Sequence, residues 1–132
     1  ARVAMDRGYI KTLAGRRCHF DFWEHKYDKS VPLPLEEARE KYGDVLKRSY
    51  TYKALNRLIQ GSAADMTKLA MLGLWEEGIV PHVQVHDEVD ISIEDDEQAA
   101  KVSRIMENCV DLAVPLVVDT ELGPNWGETE EI

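Results

Sequence analysis

The feature that most constrains this chain is a long amphipathic pattern between about residues 51 and 77. Apolar and small residues recur there at spacings of three and four, as they do along the buried face of a helix. The residues on that face are Leu55, Leu58, Ile59, Ser62, Met66, Leu69, Ala70, Gly73 and Leu74. Gly78 follows at the position where a helix commonly ends in a left-handed residue. The sequence therefore predicts one helix of roughly 25 residues, about 38 Å long.

A strand hairpin and a further helix are predicted after the long helix. Over residues 82–93 apolar and polar side chains alternate with the period of half-buried strands. Asp95 and Gln98 have the spacing of a capping-box-like pair at the start of a helix that Pro115 would end. Residues 116–118 would then form a last strand. This order indicates an α+β fold in which an antiparallel sheet, with a hairpin that carries the candidate catalytic site, packs against long helices.

The first fifty residues are predicted to be less regular. The end of a helix and a short strand pair, turning at Ala14-Gly15, are expected before residue 22. Residues 21–34 contain two prolines and are predicted to form an exposed loop, followed by a short surface helix over Leu35–Tyr42 that Gly43 stops. We expect a single domain over residues 1–132, in which residues 21–48 are an inserted loop and short helix.

The cysteines and the hydropathy indicate the cellular compartment of the protein. Cys18 and Cys109 lie far apart without a C-x-x-C spacing, which favours reduced thiols over a disulfide. Cys18, His19 and His25 lack the second ligand pair that a zinc site needs. No apolar stretch approaches the roughly 18 residues of a membrane span, and the first residues lack the apolar core of a signal peptide. We therefore expect a soluble protein of the cytoplasm, with no membrane partner.

Charge is distributed unevenly along the chain. The net charge of −9 by itself argues against nucleic acid as a partner. However, residues 1–60 hold thirteen Lys/Arg and eight Asp/Glu, whereas residues 61–132 hold three and seventeen. A basic part can meet phosphates while an acidic part collects divalent cations. An acidic solubilising surface would give the same counts, so charge alone does not decide between these interpretations.

The predicted hairpin turn carries unusual residues for its position. A tight turn ordinarily holds Asn-Gly or Asp-Gly, whereas this one holds His86, Asp87 and Glu88, with Asp90 two residues further on. Adjacent carboxylates repel each other, and a divalent cation that prefers oxygen ligands, such as Mg²⁺, would relieve the repulsion. The alternative is a solvated acidic turn. Because phosphoryl transfer uses two cations, a second carboxylate from elsewhere in the protein would be needed.

Four blocks of the sequence, in order, resemble the family A, polymerase I-like DNA polymerases. The blocks are Gly8–Arg17, Leu55–Asp65, Val85–Glu88, and Val114–Asp119 with Gly123–Trp126. Residues 21–48 lie outside the four blocks. Thr51–Asn56 and the intervening loop are more similar to phage-encoded members than to the bacterial repair enzyme. The resemblance implies the C-terminal, palm part of an enzyme that transfers nucleotides from dNTPs to a primer 3′ end with two Mg²⁺ ions.

The resemblance also implies roles for the residues of the hairpin turn. Asp87 is similar to a palm carboxylate that binds the catalytic metals. Glu88 is similar to the neighbouring acid that supports this site, and His86 to a residue that packs near the primer 3′ end.

Further residues are implied to contact primer–template DNA. Asn56 and Gln60 lie one helical turn apart and correspond to contacts with the minor groove, where amides can donate to base acceptors. Arg16 and Arg17 are candidate phosphate contacts. Without the resemblance, all four residues would be interpreted as ordinary polar surface.

The chain departs from the family pattern in ways that limit what it can do alone. The family's other metal-binding aspartate, and the fingers helix whose Lys and Arg hold the triphosphate, have no counterpart here. Tyr52 stands where bacterial members often have Arg, which would weaken one template contact. We therefore expect half of an active site that needs the remaining N-terminal part of the polymerase and extends no primer alone. The alternatives are a non-catalytic fragment that binds DNA or a protein partner, and a two-metal nuclease, for which the carboxylates are too few.

Overall fold

The computed structural model describes all 132 residues of the chain. They divide into two compact units, residues 1–62 (unit one) and residues 63–132 (unit two). The assignment of residues 1–132 to a single domain stays a prediction.

Unit one combines two short helices with two small antiparallel sheets. Its elements are α1 (Arg2–Arg7), β1 (Tyr9–Lys11), β2 (Arg17–His19), β3 (Phe22–His25), β4 (Leu33–Pro34), α2 (Leu35–Tyr42), β5 (Leu46–Arg48), a 3₁₀ turn (Thr51–Lys53) and the first turns of α3 (Ala54–Glu76). Strand β1 pairs with β2, and β3 is the centre of a sheet with the order β4-β3-β5. The apolar core consists of Ala4, Ile10, Phe20 and Ala54, with Cys18 packed against it. The predicted strand pair and the short helix ending before Gly43 are confirmed.

The predicted loop over residues 21–34 is wrong in its first and last parts. Phe22–His25 is a strand that pairs with β4 and with β5, and Trp23 lies opposite Arg48, 25 residues away. Pro34 is tolerated because β4 is an edge strand, where a missing N–H leaves no ladder hydrogen bond unmade. A strand whose partner is so distant has little local signal, since the pairing and not the composition defines it.

Unit two contains the later turns of α3 and the remaining elements. They are β6 (Val83–Val85), β7 (Glu88–Asp90), α4 (Asp96–Glu107), β8 (Glu121–Leu122) and β9 (Glu130–Glu131). The predicted hairpin is confirmed as the antiparallel pair β6-β7. The predicted cap is also confirmed, because Asp95 Oδ1 accepts a hydrogen bond of 2.8 Å from the Gln98 N–H, while Gln98 Oε1 accepts one from the Glu94 N–H.

Two boundaries near the C-terminus differ from the prediction. Helix α4 ends at Glu107 instead of continuing to Pro115. The Arg104 carbonyl accepts both the Asn108 backbone N–H at 3.2 Å and its side-chain amide at 2.8 Å, and the Cys109 N–H then bonds to the Met106 carbonyl at 3.3 Å, three residues back, so the helical pattern of bonds four residues apart stops there. Residues 116–118 form no strand, and the last pair is instead β8 with β9. Both errors arise where apolar spacing continues beyond the element that it indicates.

The long helix is confirmed, but its apolar face is only partly covered. In unit two Ala70 and Leu74 are buried, whereas in unit one Leu55 is 65% and Ile59 56% exposed. Gly78 follows the helix with a left-handed φ of 77°, as expected of a C-terminal cap. Apolar spacing identifies the helix without showing how much of each face is buried.

The α+β class is confirmed, with four small antiparallel sheets in place of one larger sheet. Strand β6 is exposed along its length, which departs from the half-buried strand that the alternation predicted. None of the helices combines the length and the apolar character that a membrane span requires.

Candidate active site

The hairpin of β6 and β7 has a two-residue turn. Val85 pairs with Glu88, so only His86 and Asp87 connect the strands. His86 has a left-handed φ of 55°, a conformation that tight hairpin turns use and that Asn or Gly adopts at lower cost. The Gln84 side-chain amide donates a hydrogen bond to the His86 carbonyl and holds the turn closed. The tip thus keeps a strained residue, a pattern that is frequent at functional positions.

Two neighbouring carboxylates project from this tip. Asp87 and Glu88 are both exposed, and Asp87 accepts no hydrogen bond from the protein. Glu88 is the first residue of β7, and its Oε1 accepts a hydrogen bond of 3.3 Å from the Trp126 indole Nε1. Because Trp126 lies 38 residues further along the chain, no local sequence pattern predicts this contact. It restrains the Glu88 carboxylate and leaves the Asp87 carboxylate available.

The base of the hairpin is fixed by structural hydrogen bonds. The His82 N–H donates to the Asp90 carbonyl at 2.9 Å, and His82 Nε2 lies 3.1 Å from Ser92 Oγ. The His82 ring is therefore engaged in structural hydrogen bonding at the base of the hairpin.

A cavity of about 650 Å³ lies beside the hairpin within unit two. Its lining includes apolar side chains of α3 and α4, such as Met66 and Met106, and five acidic residues: Asp87, Glu88, Asp90, Asp119 and Glu121. No Lys or Arg lines it. The environment at the hairpin therefore favours cations over phosphates.

Cys109 lies in the wall of this cavity. Burial raises the pKa of the Cys109 thiol above its usual value, and its Sγ donates to the Met66 carbonyl at 3.6 Å. Cys109 is thus a neutral, structural side chain near pH 7 and supplies no thiolate to the site.

The donor atoms at the tip suit a hard cation but do not complete a site. Carboxylate oxygens are the ligands that Mg²⁺ prefers, and Asp87 and Glu88 provide them. However, no three His, Cys, Asp or Glu side chains lie close enough together to hold a metal ion. The ligand chemistry therefore fits magnesium, while the number of ligands falls short.

The predicted minor-groove residues lie on helix α3 in unit one. Asn56 and Gln60 are both exposed, and they are one turn apart, so their side chains share a face. Neither side-chain amide forms a hydrogen bond within the protein. They flank exposed Ile59, so the face offers two amide donors beside an apolar surface.

The predicted phosphate contacts differ from each other in their surroundings. Arg16 Nη2 donates to the Gly61 carbonyl of α3 at 2.9 Å, which ties the β1-β2 turn to the helix. A Cβ on Gly61 would lie 2.7 Å from the buried Thr12 methyl, so this close approach requires glycine. Arg17 instead projects from β2 and lies 4.7 Å over the Tyr9 ring. The resemblance singled out both arginines, but nothing in the sequence indicated the contact of Arg16 with Gly61, which joins residues 45 positions apart.

A family model described as DNA polymerase family A matches residues 1–128 of this chain. Residues 21–48, which carry none of the four blocks, lie inside the matched range.

Sequence relatives and a solved structure agree with this match. The chain is 41% identical over 122 residues to a DNA-directed DNA polymerase of Pseudomonas phage M6, covering 92% of the chain and 15% of that protein. It is 36% identical over 130 residues to DNA polymerase I of Deinococcus radiodurans, covering 93% of the chain and 12% of that protein. Its fold is similar to the POL domain of Pol1 from M. smegmatis in complex with DNA primer-template and dNTP, with a TM-score of 0.57, 31% identity, and coverage of 87% of the chain and 19% of that domain. The chain thus spans less than a fifth of each of these proteins.

Proposed function

Because this chain belongs to DNA polymerase family A, we propose that it supplies the catalytic hairpin and part of the DNA-contact surface of a DNA-directed DNA polymerase. The observation that carries the proposal is the two-residue turn at His86 and Asp87, which holds two adjacent carboxylates in solvent. The reaction is nucleotidyl transfer from a dNTP to a primer 3′ end. Such transfer depends on positioned charge more than on covalent chemistry by the protein.

Asp87 is the metal ligand in this proposal. Its carboxylate accepts no hydrogen bond within the chain, so both oxygens are available to a cation. Glu88 adds negative charge beside it and is oriented by the Trp126 indole, while the His86 ring packs near the primer 3′ end. When bound, two Mg²⁺ ions stabilise the attacking and leaving oxygens. A second aspartate, from a part of the polymerase that this sequence does not include, completes the ligand set.

Helix α3 and the β1-β2 turn contact the primer–template DNA. The unengaged amides of Asn56 and Gln60 donate to minor-groove acceptors, which vary little between base pairs and so permit any sequence. Arg16 and Arg17 contact phosphates, which contributes affinity without sequence preference. The other partners are the dNTP and the N-terminal part of the polymerase, in the cytoplasm of a bacterial or phage-infected cell.

A second candidate function is DNA or partner binding without catalysis. The observation in its favour is that no three potential ligands lie together in the chain. On either reading the purified 132-residue chain extends no primer. A binding fragment is recognised by affinity for primed DNA that falls steeply with salt, as expected when phosphate contacts release counterions.

The test of the catalytic proposal completes the chain with the N-terminal part of a family A polymerase and measures magnesium-dependent dNTP incorporation. Asp87→Ala should lower the rate by more than about a hundredfold, because it removes a metal ligand where even supporting residues are worth 10–100-fold. Asp111→Ala is the matched control, since Asp111 is an exposed carboxylate of unit two outside the cavity. A rate for Asp87→Ala within a few-fold of the Asp111→Ala rate would show that the role assigned to Asp87 is wrong.

A further inference from the structure

The segment that joins β3 to β4, residues 26–32 and named here the tip loop, is fastened by its own hydrogen bonds. The His25 N–H donates to Ser30 Oγ at 2.7 Å, which closes the loop at its base. His25 Nδ1 lies 3.0 Å from the Asp28 backbone N and 2.9 Å from Asp28 Oδ2. One tautomer of the ring can accept from the Asp28 N–H and the other can donate to the Asp28 carboxylate, so either tautomer stays bonded to Asp28.

The tip loop is also anchored to neighbouring elements of unit one. The Lys26 N–H bonds to the Val45 carbonyl at 3.0 Å, and the Tyr42 hydroxyl donates to the Val31 carbonyl at 3.1 Å. The loop is therefore ordered before any partner arrives, and binding to it costs little conformational entropy.

Three side chains of this ordered loop are largely exposed and form no hydrogen bond or ion pair within the protein. Tyr27 is 76% exposed, more than any other large hydrophobic side chain of the chain, and its hydroxyl forms no hydrogen bond within the protein. Lys26 and Lys29 are exposed on either side of it, and neither forms an ion pair. Lys26 Nζ lies 5.3 Å over the Tyr27 ring. The Tyr27 ring also meets the His25 ring edge-on, at 6.2 Å between centroids. A largely exposed aromatic ring is thus presented to solvent next to Lys26 and two residues before Lys29.

We propose that the tip loop is a contact site for unpaired nucleic acid, in which a base stacks on Tyr27 while Lys26 and Lys29 contact the flanking phosphates. Stacking on an aromatic ring and attraction of the backbone by basic residues are the two interactions with which proteins hold single strands. A duplex keeps its base faces inside the stack, so the ring selects unpaired bases. In a primer–template, these are the bases of the template ahead of the primer end.

The tip loop favours nucleic acid over an acidic protein because its central feature is an exposed ring. An acidic surface would pair with the lysines but would not cover the exposed part of the Tyr27 ring. The inference rests on the proposed function in one respect, namely that the chain acts on DNA. It adds a contact from residues 21–48, a segment outside the four blocks that relate this chain to the polymerases.

The test measures the affinity of the 132-residue chain for a fluorescent oligo(dT) single strand and for a blunt duplex of the same charge. Tyr27→Ala should weaken binding to oligo(dT) by about fivefold or more, the usual effect of removing one stacking ring, and leave duplex binding unchanged. Tyr27→Phe keeps the ring and should bind as the wild type does. The double variant Lys26→Ala/Lys29→Ala should make the fall of log affinity with log salt less steep by about 1.4, the value for two phosphate contacts on a single strand.

Matched controls come from unit two. Trp75→Ala removes an aromatic side chain that is 64% exposed, and Lys68→Ala removes an exposed lysine; neither should change binding to oligo(dT). Because Tyr27 is exposed and forms no hydrogen bond, its variants should unfold at the wild-type temperature.

Several results would overturn the inference. They are a Tyr27→Ala affinity within about twofold of wild type, no binding of oligo(dT) by the wild type, and competition by polyglutamate as effective as that by oligo(dT). The last result would identify a general anion site suited to an acidic protein. The incorporation assay on Asp87 variants reads out catalysis, not affinity, so failure of this inference and failure of the proposed function give different results.

Discussion

Arginine side chains stabilise unit one from within, whereas helix α4 of unit two is fixed at its two ends by local polar side chains. In unit one, Arg48 reaches across 28 residues to donate to the Phe20 carbonyl at 2.9 Å, and it lies 4.4 Å over the Trp23 ring. In unit two, the bonds that define helix α4 are local, between Asp95 and Gln98 at one end and between Asn108 and its preceding turn at the other. The cation–π pairs of the structure all lie in unit one.

This difference shows that a count of charges is a poor guide to the surface that each unit offers. Part of the positive charge of unit one is used by the fold, because Arg48 and Arg57 are only partly exposed and bond to backbone carbonyls. The negative charge of unit two is mostly uncompensated within the unit, where Lys101 pairs with Glu77. The basic surface is therefore smaller than the composition indicates, and the acidic surface is close to what the composition indicates.

The largest effect that tests this contrast is expected at Arg48. Arg48→Ala should lower the free energy of unfolding by about 2–3 kcal/mol, because a charge-assisted hydrogen bond and a stacked cation are lost together. The measurement is urea unfolding combined with amide hydrogen exchange. Arg39→Ala, which removes an exposed arginine of the same unit, is the control and should change little.

Hydrogen exchange sharpens the result for Arg48. If the contrast is correct, amides of β3 and β5 lose protection in Arg48→Ala while those of α4 keep it. Equal loss in both units would mean that they unfold as one cooperative body, which would support the single-domain prediction.

A smaller effect is expected from the local cap of unit two. Asp95→Ala should cost about 1 kcal/mol of unfolding free energy, the usual value for a lost N-cap side chain. Asp95→Asn keeps an acceptor for the Gln98 N–H and should recover most of this. In hydrogen exchange, Asp95→Ala should lower the protection of amides in the first turn of α4 alone. Loss of protection in unit one would contradict the local character assigned to this cap.

The smallest effect is expected from the surface pair of unit two. The hydrogen bond and charge of Lys101 lower the pKa of the exposed Glu77 carboxyl, so the pair stabilises the fold above the unfolded-state pKa and the contribution is lost as pH falls through the lowered value. Glu77→Gln should therefore unfold slightly more easily than the wild type at pH 7 and equally at a pH well below the usual Glu pKa of about 4.3. A stability difference that persists in acid would mean that the pair is not its cause.

Local patterns predicted the local parts of this fold. The spacing of apolar residues identified α3, the positions of Asp95 and Gln98 identified the start of α4, and alternation identified the β6-β7 hairpin. Elements defined by distant partners were missed, as the pairing of β3 with β5 shows. The early part of the α3 face was predicted to be buried and is exposed, because spacing does not indicate which surfaces are covered.

The candidate site likewise combines residues that the sequence identified with long-range contacts that it did not. The acidic residues of the hairpin turn were identified from the sequence because neighbours along the chain form the turn. The bonds from Trp126 to Glu88 and from Arg16 to Gly61 join residues 38 and 45 positions apart, and no spacing rule predicts them. The roles of Asp87, Glu88 and His86 come from resemblance and stay predictions until the incorporation assay is made.

The left-handed conformation of His86 has a consequence for how this hairpin responds to mutation. Glycine or asparagine at position 86 would relieve the backbone cost and make the folded chain more robust. Selection for thermal tolerance alone would thus drive the imidazole out of the turn. The role proposed for His86 beside the primer end would therefore have to contribute more to activity than the backbone cost takes from stability.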